Sequence, residues 1–143
     1  MLFGPVSVSG RYGKHSMEVI RRFLERHCGA SELSRQIKPR HRLQRCRMGD
    51  ADPRHVLDAV AELDELSDWV ADLEPDGEGI PVLLRQYLKL GGRIAAFNVD
   101  PDFSDVLDAM ILVDMAAVPA AQQAKYMGKA GAMDYRSHHP DVE

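Results

Sequence analysis

The chain has 143 residues, of which 45% are hydrophobic and 28% charged, a composition typical of one soluble globular domain and unlike a disordered chain. Lys and Arg number 18 against 22 for Asp and Glu, so the formal net charge of −4 disfavours general nucleic-acid binding, which needs a basic excess. The apolar runs are shorter than the roughly 20 residues that span a bilayer, no signal-peptide pattern is seen, and two cysteines outside any CxxC pair favour a reducing, cytoplasmic setting.

The first predicted element is a strand over residues 2–9. Val6 and Val8 alternate with Ser7 and Ser9, a period of two that is typical of a strand with one buried face. The two serines would therefore lie on the opposite, more exposed face.

An amphipathic helix is predicted over residues 16–28, with Ser16 as its N-cap and Gly29 as its end. Its apolar residues recur at helical spacing and would form the buried face. The charged residues between them, including Glu18 and Arg21, would face outward.

Residues 31–79 are predicted to be a charged, largely helical insertion whose two halves have opposite charge. The first half contains a basic run of six cations, Arg35, Lys38, Arg40, Arg42, Arg45 and Arg47. The second half, 50–78, contains eleven acids and one base, and its apolar stripes indicate one long helix or two short ones with a break near Asp64. The basic run would contact anionic lipid head groups or an acidic carrier protein, or would be a solvated loop paired with the acids that follow.

A third helix is predicted over 80–90, with Leu83, Leu84, Tyr87 and Leu88 on its buried face. Two strands, 93–98 and 109–115, are predicted to pair antiparallel. A short helix over 119–127 would end at Gly128, followed by a frayed tail, with 138–143 flexible.

Three strings of the chain resemble one protein family: LFGPVSVSGRY, the block PDGEGIPVLLRQYLKLGGRIAAFNVDPDFSDVLD, and ILVDM followed by KYMGKAGAMDY. They resemble the C-terminal part of the GNAT-like acyltransferases of the hemolysin and ornithine-lipid N-acyltransferase type, which are often fused to a lysophospholipid acyltransferase domain. The resemblance covers nearly all of the chain. It is specific in the central block and weak over 31–67.

The resemblance implies an α/β (α+β) fold that forms the C-terminal half of a GNAT-like fold, with a small mixed sheet flanked by helices. Residues 1–137 would be this partial domain, with 2–9 as the fifth strand of the family fold and the last two strands as its final antiparallel pair. The half that holds the pantetheine and pyrophosphate is expected to be missing, and the expected partner is this N-terminal half or a second copy of the chain in a homo-dimer. With the first strand at an unpaired edge, we expect the isolated chain to dimerise or aggregate.

The function implied by the resemblance is transfer of a fatty acyl group from an acyl thioester to an amine or lysolipid acceptor. Acyl carrier protein or CoA would carry the acyl group as cosubstrate, and no cofactor would be bound permanently. The alternative is a non-catalytic module that docks acyl carrier protein or a partner subunit. The expected location is cytoplasmic, with peripheral contact at the inner membrane face.

The candidate catalytic residues are Asp100 and Asp102, which flank Pro101 in the loop between the last two strands. Either carboxylate would bind the acceptor amine or act as general base, since acyl transfer to an amine needs a proton removed. The alternative is a structural turn, which this composition favours unaided. Ser7 and Ser9 would line the thioester cleft or would simply be polar positions on a half-exposed strand.

Arg85, Tyr87 and Lys89 are the remaining substrate-binding candidates, because a cation here would hold a phosphate or carboxylate of carrier or acceptor. The alternative is a solvated helix face with Tyr87 in the core. No metal site is predicted, because the four residues that offer zinc-ligand chemistry match no familiar finger spacing. These residues are His27, Cys28, His41 and Cys46.

Overall fold

A computed structural model describes residues 1–44 and 60–139 of the chain. Within these ranges the strands are β1 (Leu2–Val8), β2 (Arg93–Asp100) and β3 (Val106–Val113). The helices are α1 (Lys14–His27), α2 (Ser31–Ser34), α3 (Leu63–Leu73), α4 (Val82–Lys89) and α5 (Ala120–His138), and a 3₁₀ turn covers Pro101–Phe103. The predicted α/β class is confirmed.

The three strands form one sheet in the order β1-β3-β2, and both neighbours of β3 pair with it antiparallel. The predicted antiparallel pairing of the last two strands is confirmed, with β3 beginning three residues earlier than expected. The predicted mixed sheet is wrong for these strands. β1 and β2 do run parallel to each other, but β3 lies between them, so no parallel strands are neighbours.

One face of the sheet is buried under α1 and α4, and α3 packs against α1 and adds Leu66 and Val70 to the same core. Alternate residues of β1 and β3 point into this core, as the period of two predicts. The largest apolar side chains that it buries completely are Ile20, Leu24, Leu66, Leu84 and Leu107. The outer face has exposed or half-buried residues at the intervening positions.

The start of α1 differs from the prediction. Gly13 is the N-cap, and Ser16 is buried inside the first turn. The helix begins earlier because a carboxylate from a distant part of the chain caps it: Glu74 Oε1 accepts a hydrogen bond from the Gly13 N–H at 2.9 Å. The Tyr12 hydroxyl donates to the Gly79 carbonyl at 2.6 Å and fixes the same junction.

The charged insertion is described only in part, since residues 45–59 lie outside the described ranges. α3 begins at Leu63, which agrees with the second of the two short helices predicted there. The Glu65 carboxylate accepts hydrogen bonds from the N–H groups of Ala61 and Glu62, at 3.3 and 3.4 Å, and so caps the first turn.

The chain after β3 also differs from the prediction. Gly128 has φ 75° and ψ 162°, which breaks α5, but the helix resumes and continues to His138, so the prediction of a frayed tail from residue 129 is wrong. The second segment is held because Arg136 Nε donates to Gln123 Oε1 at 2.8 Å. Residues 140–143 lie outside the described ranges.

One face of α4 was assigned wrongly. Leu84 is buried, but Leu83 is 57% exposed, because it precedes Leu84 by 100° around the helix and points away from the sheet. No helix within residues 1–44 and 60–139 combines the length and the apolar character needed to cross a bilayer.

Candidate functional site

The candidate catalytic aspartates lie at one end of the sheet. β1 ends there, β2 ends there at Asp100, and β3 begins there, since Asp100 pairs with Val106 and Val8 pairs with Leu107. The Asp100 carboxylate accepts a hydrogen bond from the Asp102 N–H at 3.0 Å and caps the 3₁₀ turn. Asp100 therefore has a structural task, whereas the Asp102 side chain is exposed to solvent.

The turn that follows these aspartates has unusual backbone geometry. Ser104 and Asp105 have φ values of 59° and 56°, in the left-handed region that residues other than glycine seldom adopt. The end of β1 presses on this turn, because a Cβ on Gly10 would lie 2.0 Å from the Ser104 carbonyl oxygen. The sequence correctly predicted a loop here. Nothing in the composition of the loop indicated that two consecutive residues would have left-handed backbone conformations.

The two candidate serines make separate local hydrogen bonds. Ser7 is exposed and donates a hydrogen bond from its hydroxyl to Asp108 Oδ1 of β3 at 2.5 Å. Ser9 follows the end of β1, where its hydroxyl oxygen accepts from the Arg11 N–H at 3.3 Å. Both positions fit the simpler interpretation of polar residues on a half-exposed strand.

The candidate residues of α4 are used in different ways. The Arg85 guanidinium donates to Asp64 Oδ1 at 2.8 Å and to the Ser67 hydroxyl at 2.5 Å, so it ties α4 to α3. Tyr87 is half-buried and packs against both apolar clusters of the described structure. Lys89 is exposed.

The predicted site residues are consequently divided between two ends of the sheet. Tyr87 lines a hollow with residues 2–6 of β1, beside Val113 at the end of β3. The aspartate turn adjoins the other end of β1, and six steps of about 3.3 Å put the two ends about 20 Å apart. The structure does not bring Asp102 and Tyr87 into one site.

A different concavity, missed by the sequence analysis, lies on the outer edge of β2. It is a cleft with a volume of about 640 Å³ between the second half of α1, the segment 34–43 and the strand edge. We call it the cationic cleft, because its lining includes three guanidiniums, those of Arg21, Arg26 and Arg42, against one carboxylate, that of Glu25.

The floor of the cleft is the edge of β2 at a point where its pairing is interrupted. Before the cleft, Ile94 exchanges backbone hydrogen bonds with Cys28 and Ala30, at 2.7 and 2.8 Å. Beyond the cleft, the Val99 N–H donates to the His41 carbonyl at 2.9 Å. The register of β2 against β3 shifts between Ile94 and Ala96, which is a bulge on the cleft floor.

One wall of the cleft holds a charged network on α1 that periodicity predicted wrongly. Glu18 was expected to face outward, but it is fully buried because Arg21 and Arg22 close over its carboxylate, at 2.8 and 2.6 Å. Burial alone would raise the pKa of Glu18, but hydrogen bonds from the two guanidiniums outweigh it and hold the pKa below its ordinary value. Arg21 also pairs with Glu25 at 2.5 Å.

The opposite wall is part of the basic run. Ile37, Pro39 and Leu43 are half-buried, and Leu43 packs against the core, while the cations between them stay exposed. We call residues 35–42 the basic segment. Its exposed cations are Arg35, Lys38, Arg40 and Arg42. The sequence signal that could have indicated this wall is the alternation of apolar residues with these cations, which is typical of a segment with one face against the protein.

The four residues considered for zinc do not form a described metal site. Cys46 lies outside the described residues, and within 1–44 and 60–139 no three His, Cys, Asp or Glu side chains are grouped closely enough to hold a metal ion. Burial raises the pKa of the Cys28 thiol, against a smaller opposing effect of Arg93, so this thiol stays protonated.

No protein family, no curated protein and no solved structure matches the chain.

Proposed function

We propose that this chain takes part in lipid-related acyl transfer, and that its own contribution is to dock the acidic carrier protein that presents the acyl thioester. In the reaction, the acceptor nitrogen or hydroxyl oxygen attacks the thioester carbonyl carbon, the carbon–sulfur bond breaks, and the thiol leaves with the proton that the acceptor releases. The acceptor would be an amine or a lysolipid, as the family resemblance implies.

The observation that carries the proposal is the basic segment. Four cations are exposed within eight residues, and backbone hydrogen bonds of His41 to Val99 and to the Asn98 side chain attach the segment to β2, so it does not move as a free loop. Such a surface attracts an acidic partner and accelerates its association.

The element order gives further support. A strand over Leu2–Val8, a helix over Lys14–His27 and a final antiparallel pair occur where the resemblance expects them. The GNAT-like assignment itself belongs to this proposal.

A second candidate function is a docking module without catalysis. It is favoured by the separation of the candidate site residues, since Asp102 lies about 20 Å along the sheet from Tyr87. Under the catalytic alternative, Asp102 would act as the general base once a partner completes the site.

Isothermal titration with acyl carrier protein carrying a long-chain acyl group tests docking, and a turnover assay with a lysolipid acceptor separates the two candidates. Binding with turnover supports the catalytic role, and binding without turnover supports the docking module. Lys38→Glu with Arg40→Glu should weaken binding at least about tenfold. The control, Lys125→Glu with Lys129→Glu, makes the same charge change on α5 and should leave binding unchanged.

A further inference from the structure

The cationic cleft is lined by apolar residues as well as by charged ones. Ile37 and Leu43 line it from the segment 34–43, and Phe97 lines it from β2. The cleft has a volume of about 640 Å³, within the size range of small-molecule sites, and polar and apolar groups share its lining about equally. Its shape and chemistry therefore suit a ligand with both an apolar and a polar part.

The rim determines the sign of the polar part. Arg42 forms no hydrogen bond or ion pair with the residues that the structure describes, and it lines the cleft. Across the cleft, Arg21 is only 11% exposed and is held in place by Glu18 and Glu25. A guanidinium fixed by two carboxylates still has N–H groups left over, since it has five in all. Arg21 thus offers hydrogen-bond donors to an anion, and Arg42 offers positive charge that no described carboxylate balances.

We propose that the cationic cleft binds a single-chain amphiphile with an anionic head group. The head group, a phosphate or a carboxylate, is held between Arg42 and Arg21, and the hydrocarbon chain lies along Ile37, Leu43 and Phe97. A zwitterionic head of the same length brings a positive group to the arginines and binds less well.

This inference deepens the proposed function, because a lysolipid with a phosphate head belongs to the same ligand class. Any role of the bound amphiphile in acyl transfer rests on the proposed function, but its binding to the cleft does not. The two ideas also use different residues: the carrier contacts Lys38 and Arg40 on the surface, whereas the amphiphile contacts Arg42 at the cleft.

The test is isothermal titration of the full chain with lysophosphatidic acid, oleate and lysophosphatidylcholine, each below its critical micelle concentration. We expect saturable binding of the first, the second or both, and at least about tenfold weaker binding of lysophosphatidylcholine. The first two probes distinguish a phosphate head from a carboxylate head. Arg42→Gln should weaken binding about tenfold or more, and Arg35→Gln, an exposed cation of the same segment outside the cleft lining, should not.

Three results would overturn the inference: no saturable binding of either anionic probe, equal binding of lysophosphatidylcholine, or equal losses from Arg42→Gln and Arg35→Gln. A Phe97→Ser variant that retains its circular dichroism spectrum supplies a second test. It should weaken binding of the amphiphile because it removes an apolar contact to the hydrocarbon chain, while the arginines that hold the head group are unchanged. If the carrier fails to bind while lysophosphatidic acid binds, the proposed function fails and the cleft assignment stands. The reverse pattern removes the cleft assignment alone.

Discussion

Gly10 shows how a single missing side chain shapes the aspartate turn. The Ser104 carbonyl oxygen occupies the place where a Cβ would be, so the end of β1 and the turn after β2 are closer than any other residue type would allow. The sequence marks Gly10 only as part of a loop. The contact that requires glycine comes from a residue 94 positions along the chain (104 − 10), so local reasoning had no access to it.

Gly10→Ala should lower the free energy of unfolding by about 2 kcal/mol, since backbone must move to relieve the overlap. Gly4→Ala is the matched control, because nothing lies within 4 Å of a Cβ at that position of β1. The control should change stability little, or raise it by up to about 1 kcal/mol. Urea unfolding of both variants measures the difference, and similar losses in the two would show that the close approach at Ser104 is absent.

Glu18 should make stability depend on pH. Its folded pKa is depressed below the ordinary value of 4.5, so its stabilising contribution is present above that value and is lost as the pH falls through the folded pKa. Glu18→Gln should therefore cost about 2 kcal/mol at pH 7, and the difference from the wild type should shrink as the pH falls below 4.5. Unfolding curves at pH 7 and pH 3 measure this. A difference that stays constant between them would contradict the ion-pair assignment.

For whole helices and strands, the periodicity of apolar residues and the residues typical of turns predicted those segments that have one buried face. β1, α1, α4 and the antiparallel pair of β2 and β3 follow from alternation and helical spacing in their own residues. α5 did not, because its second segment after Gly128 is stabilised by a tertiary contact, from Arg136 to Gln123, and not by its own pattern. The charged faces were also misjudged where long side chains cover one another, as at Glu18.

Gly128 permits the break in α5, because φ 75° is favourable only for glycine there. Gly128→Ala should destabilise the chain by about 1 to 2 kcal/mol and increase proteolysis near the break, since alanine resists a positive φ. Lys129→Ala, one residue later on an exposed position, is the control and should stay within about 0.5 kcal/mol of the wild type. Equal stability of Gly128→Ala and the wild type would contradict the described backbone.

At the scale of the whole molecule, the edges of the sheet and the charged surfaces determine which partners fit. The sequence contains a basic run and an acidic stretch, and the basic run has two interpretations, a partner-binding surface or a loop paired with the acids. In the structure the basic segment lies along β2, where His41 bonds Val99 and Asn98. Among the described residues, the ion pair of α3 is made by Arg85 of α4. The cleft beside it is formed by the tertiary packing of α1, the segment 34–43 and β2. No local sequence pattern predicts that these three segments lie next to each other.

β1 pairs with β3 on one side, and no strand among the described residues pairs with its other edge. Phe3 on this strand is 77% exposed, so edge pairing would also bury apolar surface. We expect concentration-dependent dimerisation or aggregation, and Phe3→Lys should shift the chain toward monomer because a charge at an edge opposes pairing. Sedimentation velocity over a range of concentrations measures this, and a wild-type chain that stays monomeric throughout would refute the expectation.

The central claim, that the basic segment docks an acidic acyl carrier, is tested most directly by titrating acylated carrier protein into the full chain at two salt concentrations. We expect saturable binding that weakens with salt, is at least about tenfold weaker in Lys38→Glu with Arg40→Glu, and is unchanged in Lys125→Glu with Lys129→Glu. Absence of binding at low salt, or equal losses in the two charge-reversed pairs, would contradict it.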